Sequence, residues 1–121
     1  MEPIKNHRDL IIWQLSMDLA VDLYQFTKQL PDDEKFGLIS QIKRSATSVP
    51  LNIAEGAGRR TTGAYIQFLN IALGSLSEID TQLEMCLRLK FTSDIQSFIT
   101  KMVTIRVKIL NLIKVLESKK E

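Results

Sequence analysis

In IQSFITKMVTIRVKILNLIKVLES, residues 95–118, the apolar side chains Ile95, Phe98, Met102, Ile105, Ile109, Leu112 and Leu116 recur at alternating spacings of three and four. That interval stacks side chains on one face of an α-helix, whereas a strand would alternate every second residue. Working back along the chain, Tyr65, Phe68, Ala72, Leu76, Ile79, Leu83 and Leu87 repeat in the same way. A third series runs through Phe36, Ile39, Ile42, Ala46, Val49 and Ile53. Breakers separate the series at Pro31-Asp32-Asp33-Glu34, at Gly56-Ala57-Gly58 and at Lys90-Phe91-Thr92-Ser93. The glycines of the middle breaker read as a flexible corner between two helices.

These patterns predict a single all-α domain over residues 1–121, an antiparallel up-down four-helix bundle with helices near 9–30, 33–56, 61–90 and 93–118. Asp32 or Asp33, Thr61 or Thr62, and Thr92 or Ser93 are the expected N-caps of the second, third and fourth helices. Pro50 interrupts the second, because a proline removes one backbone hydrogen bond and clashes with the preceding turn. The apolar period nevertheless passes through it, so one helix kinked at Pro50 is expected.

The chain has 121 residues, one domain's worth, with 45% apolar and 25% charged residues. Five glycines and three prolines exclude collagen-like and linker-like classes, and a single cysteine excludes a disulfide framework or a multi-cysteine zinc module. No apolar stretch reaches the length of a membrane span and the amino terminus has no signal-peptide pattern, so a cytoplasmic protein is expected.

The same inventory argues against an enzyme, a cofactor and a metal. The one histidine, His7, sits in the lead before the first helix, and Ile4 stands where a Glu-x-x-His ligand pair needs a carboxylate. Cys86 falls on the apolar stripe of the third helix and reads as core. Gly58 and Gly63 have phosphate-loop spacing, but Ala64 and Tyr65 replace the Lys and Ser or Thr that such a loop requires.

Two features point outward. The first helix carries a row of Trp13, Met17, Ala20 and Tyr24 beside a second row of Ile12, Leu15, Leu19, Leu23, Phe26 and Leu30. Either it touches two neighbours in the bundle, or one row meets another subunit. Ile71, Met85 and Leu89 also lie off the core stripe of the third helix.

The second feature is polar. Gln41, Arg44, Ser48, Asn52 and Glu55 line one face of the second helix, with Gly74, Ser75 and Glu78 as a counterpart on the third. Such residues suit a directed hydrogen-bond network. Arg44 pairing with Glu55 or Glu78 is the structural alternative, and close helix approach is a reason for Gly74. Lys43, Arg44, Arg59 and Arg60 outnumber Glu55 across residues 41–60, and Lys101 and Lys108 begin a basic carboxy-terminal segment. These six cations are the candidate phosphate contacts for RNA or DNA.

The run Ser40-Gln41-Ile42-Lys43-Arg44-Ser45-Ala46-Thr47-Ser48-Val49-Pro50-Leu51-Asn52-Ile53-Ala54-Glu55-Gly56-Ala57-Gly58-Arg59 resembles the four-helix bundle family of bacterial 23S rRNA intervening-sequence proteins. Asp9-Leu10 with Trp13-Gln14, Phe36-Gly37-Leu38, Phe68-Leu69, and Ala72-Leu73-Gly74-Ser75-Leu76 with Glu78 extend the likeness over most of the chain. Ala64 departs from it, at a position often acidic in the family. That family includes the accessory variability determinant proteins of diversity-generating retroelements.

The resemblance implies a homo-oligomer, with a pentameric ring as the family's assembly, and no established catalysis. It also implies a nucleic-acid context, with a reverse transcriptase or a ribosome-related protein as a further partner. Gln41, Arg44, Asn52, Glu55, Arg59, Gly74, Ser75 and Glu78 match the family's motif and serve either subunit packing or binding. The competing expectation is a structural scaffold or protein-partner adaptor that binds no nucleic acid.

Overall fold

The computed structural model describes residues 6–119, so Lys120 and Glu121 of the basic carboxy-terminal segment lie outside the described residues. Four α-helices make the fold: α1 (Ile11–Thr27), α2 (Leu38–Ala57), α3 (Thr62–Arg88) and α4 (Gln96–Lys119). Among the described residues there is no strand. Each helix packs on two others, in the cycle α1, α2, α3, α4 and back to α1, so the apolar stripes converge on one shared core. Leu23, Ile42, Val49, Ile53, Leu69, Ile79, Leu83 and Ile109 are completely enclosed there. All but Leu69 are residues that the spacing of three and four picks out; Leu69 is enclosed where the α3 series expected Phe68, which is only half-buried.

Cross-helix contacts set the register. Ser45 meets Gln82, Ser48 meets Ser75, and Gly56 meets Tyr65 and Phe68, so numbers rise along α2 as they fall along α3. Asp22 and Phe26 of α1 likewise meet Lys101 and Phe98 of α4. α2 continues through Pro50 as one helix.

Several helix ends differ from the expected ones. α2 starts at Leu38 rather than near residue 33, because Asp32–Glu34 form a separate 3₁₀ turn led by Pro31. Neither Asp32 nor Asp33 caps α2. Glu34 Oε1 does so by accepting from the Leu38 N–H at 3.1 Å. The carboxylate folds over Gly37, where a Cβ would stand 2.8 Å from it and push it aside.

Phe36 consequently precedes the helix. The sequence pattern placed it first in the core row, but it is 90% exposed. At the next corner Gly56 and Ala57 belong to α2, and the turn is only Gly58–Thr61. Thr61 caps α3 as expected, accepting from the Ala64 N–H at 3.1 Å. Lys90 ends α3 in the left-handed region, at φ 64°, with the Phe91 N–H reaching back to the Cys86 carbonyl. Asp94, not Thr92 or Ser93, accepts from the Gln96 N–H at the start of α4.

Candidate nucleic-acid interface

The α1–α2 face is where the fold leaves its largest opening, a groove of about 760 Å³. Trp13, Met17, Ala20, Val21 and Tyr24 of α1 face Thr47, Pro50, Leu51 and Ala54 of α2 across it. The row of Trp13, Met17, Ala20 and Tyr24 is therefore not fully absorbed by the bundle, although Ala20 itself is buried, whereas Ile12, Leu19, Leu23, Phe26 and Leu30 are core. His7 is not a free solvated side chain. It packs edge-on against Trp13 at 5.0 Å and closes one end of the groove, while the Arg8 guanidinium lies 5.3 Å from the same indole.

At its other end the groove runs into a smaller cleft of about 360 Å³, lined by Tyr24, Lys35, Phe36, Ile39, Ser40, Lys43, Arg44 and Thr47. Three cations and two aromatic rings meet here, and no carboxylate is among the described residues that line it. Lys43 Nζ lies 5.1 Å from the Tyr24 ring and Lys35 Nζ lies 5.7 Å from the Phe36 ring. Each ammonium thus sits at the electron-rich face of a ring. Two α-helices and the capped Glu34–Leu38 break hold the group together.

Only Lys43 and Arg44 of the six sequence-predicted phosphate contacts share this cleft. Arg59 lies beyond the opposite end of α2, on the order of 20 Å away by the rise of an α-helix. There its guanidinium binds Glu55 at 3.0 Å and covers the Phe68 ring, with exposed Arg60 beside it. Lys101 on α4 is held by Asp22 at 2.7 Å, and Lys108 is exposed on the same helix. Tyr24, Lys35 and Phe36 were not among the predicted contacts. The signal for Phe36 was the glycine that follows it, after which α2 begins, leaving Phe36 outside the helical row.

The polar row divides in two. Ser48 Oγ and Ser75 Oγ lie 2.7 Å apart, Asn52 Nδ2 donates to the Ser48 carbonyl and hydroxyl, and Gln82 Nε2 donates to Ser45 Oγ at 3.0 Å. The Ser48–Ser75 and Gln82–Ser45 bonds fix α2 against α3, and Asn52 holds the Ser48 hydroxyl from within α2. Gln41, Arg44 and Glu78 instead open onto a polar cavity of about 440 Å³, shared with Ser45, Ser48 and Gln82. The expected pairing of Arg44 with Glu55 or Glu78 is absent among the described residues; Glu55 binds Arg59 instead, and Glu78 shares only the cavity with Arg44. Gly74 is likewise not a point of close approach within the chain. A Cβ there would meet nothing within 4 Å, whereas at Gly56 it would stand 2.9 Å from both Phe68 Cβ and Tyr65 Cδ1.

Cys86 is enclosed in the core. Burial pushes its thiol above the usual range, and the nearby Glu34 carboxylate pushes the same way. Among the described residues no three His, Cys, Asp or Glu side chains gather as metal ligands would.

Residues 8–111 match the family described as 23S rRNA-intervening sequence protein. The chain belongs to that family. The match takes in all of α2 and α3 and with them the whole cationic cleft. The chain is similar to a crystal structure from Bacteroides thetaiotaomicron VPI-5482, described as a protein with unknown function from the S23 ribosomal protein family. The two are 28% identical with a TM-score of 0.79, over 86% of this chain and 99% of that one. A comparison with curated proteins found no match. No helix among the described residues is long and apolar enough to cross a membrane.

Proposed function

We propose that this chain is a non-catalytic cytoplasmic adaptor that assembles with copies of itself and holds RNA or DNA by its phosphates. The observation that carries the reading is the cleft in which Lys35, Lys43 and Arg44 converge without a lining carboxylate. Cations gathered in this way repel one another, and a phosphate backbone relieves that repulsion while releasing its own counterions. Arg59 and Lys101 are weaker contacts, since each already faces an acidic partner.

Self-association rests on the unlike apolar faces of the bundle. The α1–α2 groove exposes Met17, Val21 and Leu51, while α4 exposes Val103, Val107 and Leu110, with Val103 beside α3. A groove on one flank and a ridge on the other suit head-to-tail contact, which closes as a ring, and the pentamer of the family resemblance is the proposed size. Repeating the cleft around a ring multiplies a modest patch into useful affinity.

The test combines light scattering with a salt titration of binding to a labelled RNA strand. An assembly several times the monomer mass is expected. Replacing both Lys43 and Arg44 by Ala should flatten the slope of log K against log salt by roughly 1.4. A monomer, or an unchanged slope, refutes the corresponding half of the proposal. An assembly that ignores RNA would favour the scaffold reading, to which the apolar groove alone lends support.

A further inference from the structure

Phe36 is the most exposed of the large apolar side chains among the described residues, at 90%. It is also held there. Glu34 anchors the break before α2 through the Leu38 N–H, and Gly37 lets that carboxylate fold close. An exposed phenyl ring presented on a fixed turn forgoes the burial that normally stabilises such a residue. Across the same cleft stands Tyr24, on a different helix, with its ring partly open to solvent. Lys35 and Lys43 lie at these two rings on flexible stems, and Arg44 completes the rim.

We infer that Phe36 and Tyr24 are stacking platforms for unpaired bases, so that the cleft selects single-stranded nucleic acid over duplex. This rests on the nucleic-acid reading above and names the substrate class of the same site. The two ring faces supply sequence-tolerant stacking, and the ammonium groups displaced from them swing to the adjoining phosphates. In a duplex the base faces are covered by their neighbours, so neither ring gains a contact without unpairing. A second copy of this chain fits the cleft less well. It would have to bring carboxylates to three clustered cations, and the exposed apolar ridge of α4 offers none from Val103, Val107 or Leu110.

The experiment measures fluorescence anisotropy of the full chain with two labelled probes, a short poly(U) RNA strand and an RNA duplex of equal length. The wild type should prefer the strand. Phe36→Ala should weaken strand binding about tenfold, the loss of one stacked base, and leave duplex binding within about twofold. Phe36→Trp should restore the strand preference. Equal losses on both probes, or none, would overturn stacking while leaving phosphate binding intact. A wild type that binds neither probe refutes the nucleic-acid reading itself. Dissociation of the assembly by Phe36→Ala, seen in light scattering, would give the ring to a subunit contact and also overturn the inference. Thermal melts of each variant verify folding, which an exposed ring should leave unchanged.

Discussion

Gly56 of α2 and Phe68 of α3 are so close that a Cβ on the glycine would stand 2.9 Å from the Phe68 Cβ. The Tyr65 ring and carbonyl crowd the same spot, at 2.9 and 3.2 Å. This contact joins the last turn of α2 to the first turns of α3, where the turn between them is short.

Gly56→Ala should therefore destabilise the fold despite the better helix propensity of alanine. The Phe68 Cβ and the Tyr65 carbonyl are fixed to the α3 backbone and leave little room to yield, and overpacking of this kind costs about 1–3 kcal/mol. Urea denaturation checks it. A midpoint equal to or above that of the wild type would show that α2 and α3 part freely at this corner.

Gly74→Ala should do the opposite. The added methyl meets open space in the chain, and glycine in mid-helix is about 1 kcal/mol less favourable than alanine. A higher melting temperature is expected in dilute protein. Should the variant melt lower and scatter as a smaller particle, the glycine is covered by a neighbouring copy.

Lys90 holds a left-handed backbone, φ 64°, at the end of α3. An L side chain is strained there by roughly 1–2 kcal/mol, part of which glycine gives back through its freer unfolded chain. Lys90→Gly should raise stability by about 0.5–1 kcal/mol, measured by urea unfolding with the slope unchanged.

Cys86 predicts a pH dependence. Its thiol is raised in the folded chain, first by burial and then by Glu34, so folding favours the neutral form. That contribution is complete below the ordinary thiol range and is lost as pH climbs through the folded value. Wild type should thus lose more stability than Cys86→Ala between neutral and alkaline pH. Parallel urea midpoints at the two pH values would refute it, and a rapid reaction with a thiol reagent in native buffer would contradict the burial.

Much of the architecture could be read in one dimension. Ile42, Val49, Ile53, Ile79, Leu83 and Ile109 are enclosed because residues three and four apart share a helix face whatever the helix packs against. Thr61 could be read as a cap because capping is local. The caps of α2 and α4 were missed where a competing carboxylate, Glu34 or Asp94, reached the same amide. Phe36 was misread for a related reason: its place in the period held only if the helix began before it.

The candidate site was harder to read, since distance along a chain says nothing about distance across a bundle. Arg44 and Arg59 look like parts of one basic segment, yet a rigid helix separates them and Glu55 claims the second. Tyr24 and Lys35 look unrelated, yet helix packing places both at one cleft.

Composition and periodicity alone thus established four amphipathic helices, because a helix repeats on itself every few residues and needs no partner to define its face. Tertiary packing alone decided which cations stay unpaired, which glycine is crowded and which ring meets water, because those depend on atoms that only the folded chain brings within a few ångströms.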